Sequence, residues 1–308
     1  MNKVLPESCY VVLHIAPGRG VVVGHSPLIV SNDGERFQLR DDIWIERLNE
    51  RLAKNIQQAC EPPHYNISGH PWDRHLYAFV RRAPKVEKTN NEGIGDLFTT
   101  VALSRLINPT STGERYGAKV FHYGLDDSAI QAIQFRGISP DVFLPKNPRD
   151  WLSVEDGEHL RKLMPWVSQK PMHGRVHRAY WYHEYAMRSY YLDARWTLVV
   201  SGLEALVNVE EQNVRKQFSV RVRQIADELQ VKLGPSELNK AYTLRSKLVH
   251  GETFLFGLET EIPKDQQSDL YERLELVLRK TIRRCLEDEE FSDHFRDDKA
   301  VKQRWRVP

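Results

Sequence analysis

Residues 242–251 read Tyr-Thr-Leu-Arg-Ser-Lys-Leu-Val-His-Gly, and this stretch decides how the second half of the chain is interpreted. Leu248 and Val249 fall at apolar positions of a helical pattern that begins near Gly234-Pro235. Gly251 suits the position just past a helix C-terminus, because glycine takes a positive φ without a Cβ clash. The stretch therefore predicts a helix that ends at its glycine.

Arg245 and His250 lie five residues apart near this predicted helix end. Five residues of an ideal helix turn through about 500°, so the two side chains would point roughly 140° apart. They can converge only if the backbone breaks near His250, or if a second copy of the chain supplies the partner group. A helix-end pair of cations that interacts with the C-terminal dipole is the simpler interpretation.

The pattern on both sides of this stretch is helical from about residue 151 to 290. Apolar stripes of period near 3.6 predict amphipathic helices with short connections. Ser153 caps a first helix over 153–163, and 175–207 holds one long or two abutting helices. The stripes are Leu192, Trp196, Val199, Leu203 and Leu206; Phe218, Val222, Ile225 and Leu229; and Leu270, Leu274, Val277, Thr281 and Cys285.

The N-terminal part of the chain mixes strand and helix patterns. Strands are predicted at 10–15, 21–23, 76–80 and 118–123, and helices at about 42–60 and 97–107. Prolines 140, 145 and 148 indicate a connector, which places a boundary near residue 150. The predicted fold class is α+β, in three parts: a mixed α/β domain of unassigned role over 1–150, an all-α antiparallel bundle over 151–290, and a charged tail over 291–308 that is frayed apart from Trp305.

Composition excludes several classes of protein. The chain has 308 residues, is 41% hydrophobic and 28% charged, and carries a net charge of +2. No apolar run approaches the ~18 residues that span a bilayer, and the first residues lack the apolar core of a secretory signal. Three widely spaced cysteines predict a reducing, cytoplasmic location without disulfides. A net charge this small means that RNA binding would need a local basic patch.

The Arg-x4-His pair within Leu-Arg-Ser-x-x-Val-His-Gly resembles the signature of HEPN domains, in particular the Apea-like branch. Residues 196–206, with the embedded Leu203-Glu204-Ala205-Leu206, match an apolar helix of that branch, and a helix that carries Arg221 and Arg223 lies between the two. The resemblance covers roughly 150–290. It implies an HEPN-like bundle that forms a homodimer, with two Arg–His pairs at the two-fold interface.

The chemistry of the two side chains agrees with what the resemblance implies. Arg245 stays charged and fits phosphate, whereas the imidazole of His250 can accept or donate a proton. Together they suffice for RNA cleavage without a metal or cofactor, through a 2′,3′-cyclic phosphate. The family includes toxins and antiviral effectors, so the expected partners are RNA, with tRNA as a candidate, a second copy, and an antitoxin or sensor protein.

Several other residues are predicted to support this site. Ser246 and Lys247 lie inside the motif, Tyr242 precedes it, and Glu204 could hold Arg245 or His250 in place or serve only as an ion-pair partner in the bundle. Two further arginines, Arg221 and Arg223, could contact phosphates, although a solvated helix face is commoner.

The alternatives that stay open come from other classes. A bundle that only dimerises or binds a ligand would be a non-catalytic scaffold, and an internal ion pair of Arg245 would argue against the nuclease. His173 and His177 are four residues apart, but no carboxylate or cysteine completes a metal site at a convincing spacing. The dense aromatic residues over 180–191 favour a helix or dimer interface over base stacking.

Overall fold

The protein is described by a computed structural model over residues 8–15, 36–60, 76–83, 92–109, 113–125, 128–135, 152–167, 172–189, 191–252 and 262–308. The chain divides into two compact units, residues 1–169 and 170–308. The first combines strands and helices and the second is helical, which confirms the α+β class. The strand predicted at 21–23 lies outside the described residues.

The described part of the first unit contains these elements: β1 Cys9–Ile15, β2 Phe37–Arg40, β3 Ile43–Arg47, α1 Glu50–Cys60, β4 Leu76–Arg82, α2 Glu92–Ile107, β5 Gly113–Phe121, β6 Ala129–Phe135 and α3 Val154–Leu163. A short 3₁₀ turn, Met164–Trp166, follows α3. The described part of the second unit contains α4 Gly174–Arg188, α5 Leu192–Val207, α6 Val214–Glu228, α7 Pro235–Val249, α8 Lys264–Glu287, α9 Glu289–Asp293 and α10 Asp298–Arg304.

The strands form one antiparallel sheet in the order β2-β3-β4-β1-β5-β6. The central strand β1 pairs Val11 with Val80 on β4 and with Ala118 on β5. These side chains share a core with α1, whereas Tyr10, which points to the opposite face, lies against Gly93 of α2. Because side chains alternate across a strand, each face of the sheet is covered by one of these two helices.

The helix predicted over 42–60 begins later than expected. Residues 43–47 form β3, and α1 starts only at Glu50, where the Asn49 side chain accepts a hydrogen bond from the Leu52 N–H at 2.7 Å. The prediction was wrong here because Ile43, Trp44 and Ile45 favour a pleated strand, while their spacing also continues the helical pattern.

The boundary between the units lies about twenty residues beyond the predicted position. Helix α3 has the expected Ser153 cap, and the Asp156 carboxylate accepts the Ser153 N–H in return, but the helix belongs to the first unit. Arg161 on α3 donates two hydrogen bonds to the Gln38 carbonyl at 2.9 and 2.7 Å, and Arg40 donates to the Val167 carbonyl at 3.3 Å. These contacts hold the segment to the edge strand β2, and proline spacing does not reveal them.

Helix α5 lies at the centre of the second unit and packs against α4, α6, α7 and α8. Its Trp196 is fully buried and donates its indole N–H to the Ala241 carbonyl of α7 at 3.2 Å. The apolar stripes predicted for the helices supply this core. Residues 175–207 form two helices, α4 and α5, rather than one.

The C-terminal segment is folded, which corrects the expectation of a frayed tail over 291–308. Phe291, Phe295 and Trp305 are buried, and the rings of Phe295 and Trp305 lie 4.7 Å apart. The segment forms α9 and α10, each capped by an aspartate side chain. Trp305 was the one residue excepted from the frayed tail, and the high charge density of the segment concealed the other two anchors, Phe291 and Phe295.

No helix among the described residues is both long and apolar enough to cross a membrane. The three cysteines, Cys9, Cys60 and Cys285, are buried and none takes part in a disulfide bond. Burial raises the pKa of the Cys285 thiol, so this thiol stays protonated at neutral pH.

Candidate functional site

Helix α7 ends as its sequence predicts. Gly251 has a φ of +71°, and its N–H donates to the Leu248 carbonyl at 3.2 Å. The Glu252 N–H donates to the Lys247 carbonyl at 2.8 Å, which completes the paired bonds of a Schellman turn. The glycine-ended helix is therefore confirmed.

The backbone stays close to helical as far as His250. His250 has φ −85° and ψ 0°, and its N–H still donates to the Ser246 carbonyl at 3.1 Å. Because the reversal comes only at Gly251, the His250 side chain leaves the backbone about where a continued helix would place it, roughly 140° around the axis from Arg245. Backbone geometry therefore directs the two side chains to different faces of the helix.

Arg245 forms an ion pair inside the second unit. Its Nη2 lies 2.9 Å from Glu204 Oε2 and 3.3 Å from Ser201 Oγ, both on α5. Its side chain is 27% exposed and that of Glu204 is 15% exposed. The buried Nε of Arg245 has no hydrogen-bond partner among the described residues. The guanidinium is thus held through one nitrogen at the edge of the helical packing, in the internal ion pair that argues against the nuclease and favours the scaffold.

The Glu204 carboxylate is shared by several groups. The Tyr242 hydroxyl donates a hydrogen bond to it, and Asn208 Nδ2 lies 3.5 Å from Oε1. Burial raises the pKa of Glu204, although Arg245 and Tyr242 both favour the charged form. Burial and the nearby carboxylate also raise the pKa of Tyr242. The cluster therefore positions Arg245 by surrounding its acidic partner.

His250 is exposed at the end of α7, beside Val249, which is 52% exposed. The predicted supporting residues Ser246 and Lys247 contribute main-chain carbonyls to this helix end and are half-buried. An exposed imidazole can exchange protons with solvent or with a bound molecule, so the position permits acid–base chemistry.

The structure corrects the role suggested for Arg221. Its side chain is buried and donates to the Trp305 carbonyl at 3.0 Å, to the Val207 carbonyl at 2.7 Å and to Gln217 Oε1 at 2.7 Å. A guanidinium that satisfies two backbone carbonyls in the interior does not reach an RNA phosphate. Arg223 is exposed, with its Nε 3.8 Å from the Asp227 carboxylate on the next turn.

Each of the histidines considered as a metal ligand contacts a different partner. His183 is buried with Nε2 2.8 Å from Glu275 Oε1, and His177 Nε2 lies 2.8 Å from the Trp181 indole nitrogen. His173 Nε2 lies 3.4 Å from Asp293. Within the described ranges, no three His, Cys, Asp or Glu side chains are grouped so that they could hold a metal ion.

Ser201 is the site residue that sequence reasoning missed. It precedes Glu204 by three residues on α5, so the two side chains share a helix face. This i, i+3 relationship was readable from the sequence once Glu204 was singled out. The contact to Arg245 was not readable, because it depends on how α5 packs on α7.

The chain was compared with protein-family models, curated protein sequences and solved structures, and none of the three comparisons found a match.

Proposed function

We propose that the second unit is a metal-independent endoribonuclease of the HEPN type that acts as a homodimer in defence or as a toxin. The observation that carries the proposal is the end of α7, where an arginine and an exposed histidine lie five residues apart before a Schellman turn. One side chain is a fixed cation and the other a proton acceptor, which are the two groups that RNA cleavage needs.

The reaction needs no metal in this scheme. Neutral His250 removes the proton from a ribose 2′-OH, and the 2′-oxygen attacks the adjacent phosphorus. The bond from phosphorus to the 5′-oxygen breaks, and a protonated His250 of a second copy gives that oxygen its proton. The products are a 2′,3′-cyclic phosphate and a 5′-OH, and Arg245 stabilises the charge on the phosphoryl oxygens.

The divergence of Arg245 and His250 around the α7 axis supports the homodimer. A single copy directs them to different faces, so an arginine from one copy and a histidine from another would have to meet at an interface. Exposed aromatic side chains on α4, Trp181 and Tyr185, offer apolar surface for such an interface.

A second candidate function is a non-catalytic dimerisation or ligand-binding scaffold. The observation that favours it is the ion pair between Arg245 and Glu204, because a carboxylate 2.9 Å away already neutralises the guanidinium. A phosphate would have to compete with that carboxylate, or share the guanidinium with it through Nη1.

The test is incubation of the purified protein with total tRNA in EDTA. We expect cleavage that leaves 2′,3′-cyclic phosphate ends, and a loss of about 100-fold or more in rate for Arg245→Ala and for His250→Ala. Lys280→Ala, an exposed change on α8, is the matched control and should cleave like the wild type. Mixing the Arg245→Ala and His250→Ala proteins should restore part of the activity if the site is shared between copies.

Cleavage that persists in both variants would come from a contaminant and would contradict the proposal. A stable dimer that leaves RNA intact under all conditions, with unfolding temperatures equal to the wild type, would select the scaffold instead.

A further inference from the structure

The folded C-terminal segment forms a basic cleft with the start of α4. Two adjoining openings, of about 520 and 560 Å³, share Asp298 and Lys299. The described lining contains two carboxylates, Asp297 and Asp298, and six cationic side chains: Arg175, Arg178, Arg296, Lys299, Lys302 and Arg306. Glu210, outside this lining, pairs with Lys302 at 2.7 Å, so the described residues leave a surplus of three positive charges, against a net charge of +2 for the entire chain.

Both carboxylates of the basic cleft are already engaged. Asp297 caps α10 by accepting the Ala300 N–H at 2.8 Å, and Asp298 pairs with Arg175. The cations are less committed, because Arg178 and Lys299 are exposed and form no ion pair with any described residue. The cleft therefore presents positive charge that its own acids do not cancel.

The cleft has a fixed shape because α10 is anchored from beneath. Trp305 is buried, packs on Phe295 and donates its indole N–H to Glu228 at 3.1 Å. Lys299 and Lys302, three residues apart on α10, therefore project from a folded element rather than from a loose tail. Among the described residues, the lining contains no aromatic side chain, so it suits a ligand recognised by charge and not by stacking.

A chain of contacts joins the basic cleft to the candidate site. Arg175 Nη1 donates to the Ala205 carbonyl at 3.0 Å and to the Asn208 carbonyl at 2.9 Å, at the end of α5. Asn208 Nδ2 lies 3.5 Å from Glu204, which in turn pairs with Arg245. The cleft and Arg245 thus flank the same last turn of α5.

We infer that the basic cleft binds the phosphodiester backbone of RNA and leads the strand towards Arg245, an inference that rests on the proposed function. A nearly neutral chain needs a concentrated patch to hold a polyanion, and here the patch is connected to the guanidinium assigned to the reacting phosphate through Arg175, Asn208 and Glu204. Because phosphate contacts carry no base information, binding at the cleft is independent of RNA sequence.

The test measures binding of a fluorescently labelled single-stranded RNA by anisotropy, in a His250→Ala background that leaves the RNA intact. Arg178→Glu/Lys299→Glu should weaken binding by about tenfold or more and reduce the slope of log K against log salt by about 1.4, for two lost phosphate contacts. The matched control is Lys232→Glu/Lys280→Glu, which makes the same change in charge at exposed positions outside the cleft. It should keep the full slope.

Equal losses in the two double variants would show that only overall charge matters and would overturn the inference. Binding of polyglutamate that is as tight and as dependent on Arg178 and Lys299 would assign the cleft to an acidic protein and would also overturn it. In an otherwise wild-type background, the cleft substitutions should raise KM for RNA and change kcat little.

The inference and the proposed function can fail separately. If RNA binds through the cleft but is never cut, the inference about the cleft holds and the proposed nuclease activity is wrong. If the wild type cuts RNA, and the cleft and control variants bind RNA with equal affinity, the nuclease proposal holds and only the inference about the cleft is wrong.

Discussion

Two carboxylates of the second unit, the half-buried Glu204 and the buried Glu275, respond to their surroundings in opposite ways. Glu204 and Glu275 both contact an arginine, but burial raises the pKa of Glu204, whereas Arg279 and His183 lower that of Glu275 in spite of burial. The difference lies in the number of strong partners. Arg279 Nε and His183 Nε2 each lie 2.8 Å from Glu275 Oε1.

At Glu204 the raised pKa means that the folded state binds a proton more readily than the unfolded chain. The contribution of Glu204 to the free energy of unfolding therefore increases as pH falls from 7 towards the ordinary pKa of a glutamate. We expect Glu204→Gln to lower the free energy of unfolding only slightly at pH 7. Between pH 7 and pH 5, the free energy of unfolding of the wild type should increase relative to that of the variant. Urea unfolding at the two pH values measures this, and a variant that loses more than about 3 kcal/mol at pH 7 would contradict it.

The contribution of Glu275 to stability has the opposite pH dependence, because the pKa of this carboxylate is lowered on folding. The contribution is present above the ordinary pKa of a glutamate and is lost as pH falls through the lowered pKa of the folded state. Glu275→Gln should cost about 3–5 kcal/mol at pH 7, since Arg279 is left without its buried partner. The difference from the wild type should shrink below about pH 4. Glu272→Gln, a half-buried change on the same helix, is the control in chemical denaturation.

At the scale of elements, the sequence located the ends of α3 and α7, which a cap or a breaker marks, but missed α9 and α10, which aspartates cap. Ser153 begins α3, Pro235 begins α7 and Gly251 ends it. Strands β2 and β6 were missed and residues 43–47 were assigned to a helix, because a short apolar run fits either period. The candidate site was predictable to the same extent: its helix end followed from local chemistry, whereas the contact of Arg245 with Glu204 required the packing of two helices.

The Schellman turn gives an element-scale prediction. Gly251→Ala should lower the free energy of unfolding by about 1–2 kcal/mol, because a Cβ is strained at a φ of +71°. Gly174→Ala at the start of α4 is the control, since a Cβ there meets nothing within 4 Å. Thermal unfolding of both variants measures the difference. Equal unfolding temperatures would show that the turn does not fix the end of α7.

At the scale of the molecule, the C-terminal segment decides whether the second unit has a complete core. Its aromatic residues close the end of the helical packing, and the Trp305 carbonyl accepts from the buried Arg221. The sequence hid this role because the anchoring residues are few among many charges. The composition of a sequence segment gives only its average polarity, whereas the packing of this segment onto the core depends on the three side chains that face inward.

Trp305→Ala should destabilise the second unit by about 3–5 kcal/mol, the usual cost of removing a large buried aromatic side chain. It should also weaken RNA binding, because α10 carries Lys299 and Lys302 into the basic cleft. Tyr191→Ala, at a side chain that is 72% exposed, is the control and should change stability by less than about 0.5 kcal/mol. Denaturant unfolding and anisotropy test the two effects, and unchanged stability would contradict the role assigned to Trp305.

The bond from Arg221 to the Trp305 carbonyl also orders events during synthesis. The guanidinium emerges from the ribosome 84 residues before its acceptor, so α6 is made with a buried cation that still lacks one of its partners. Folding of this unit can finish only after the last aromatic anchor has been translated. Nascent chains arrested ahead of residue 291 should therefore be cut readily by protease, whereas chains released beyond residue 305 should resist.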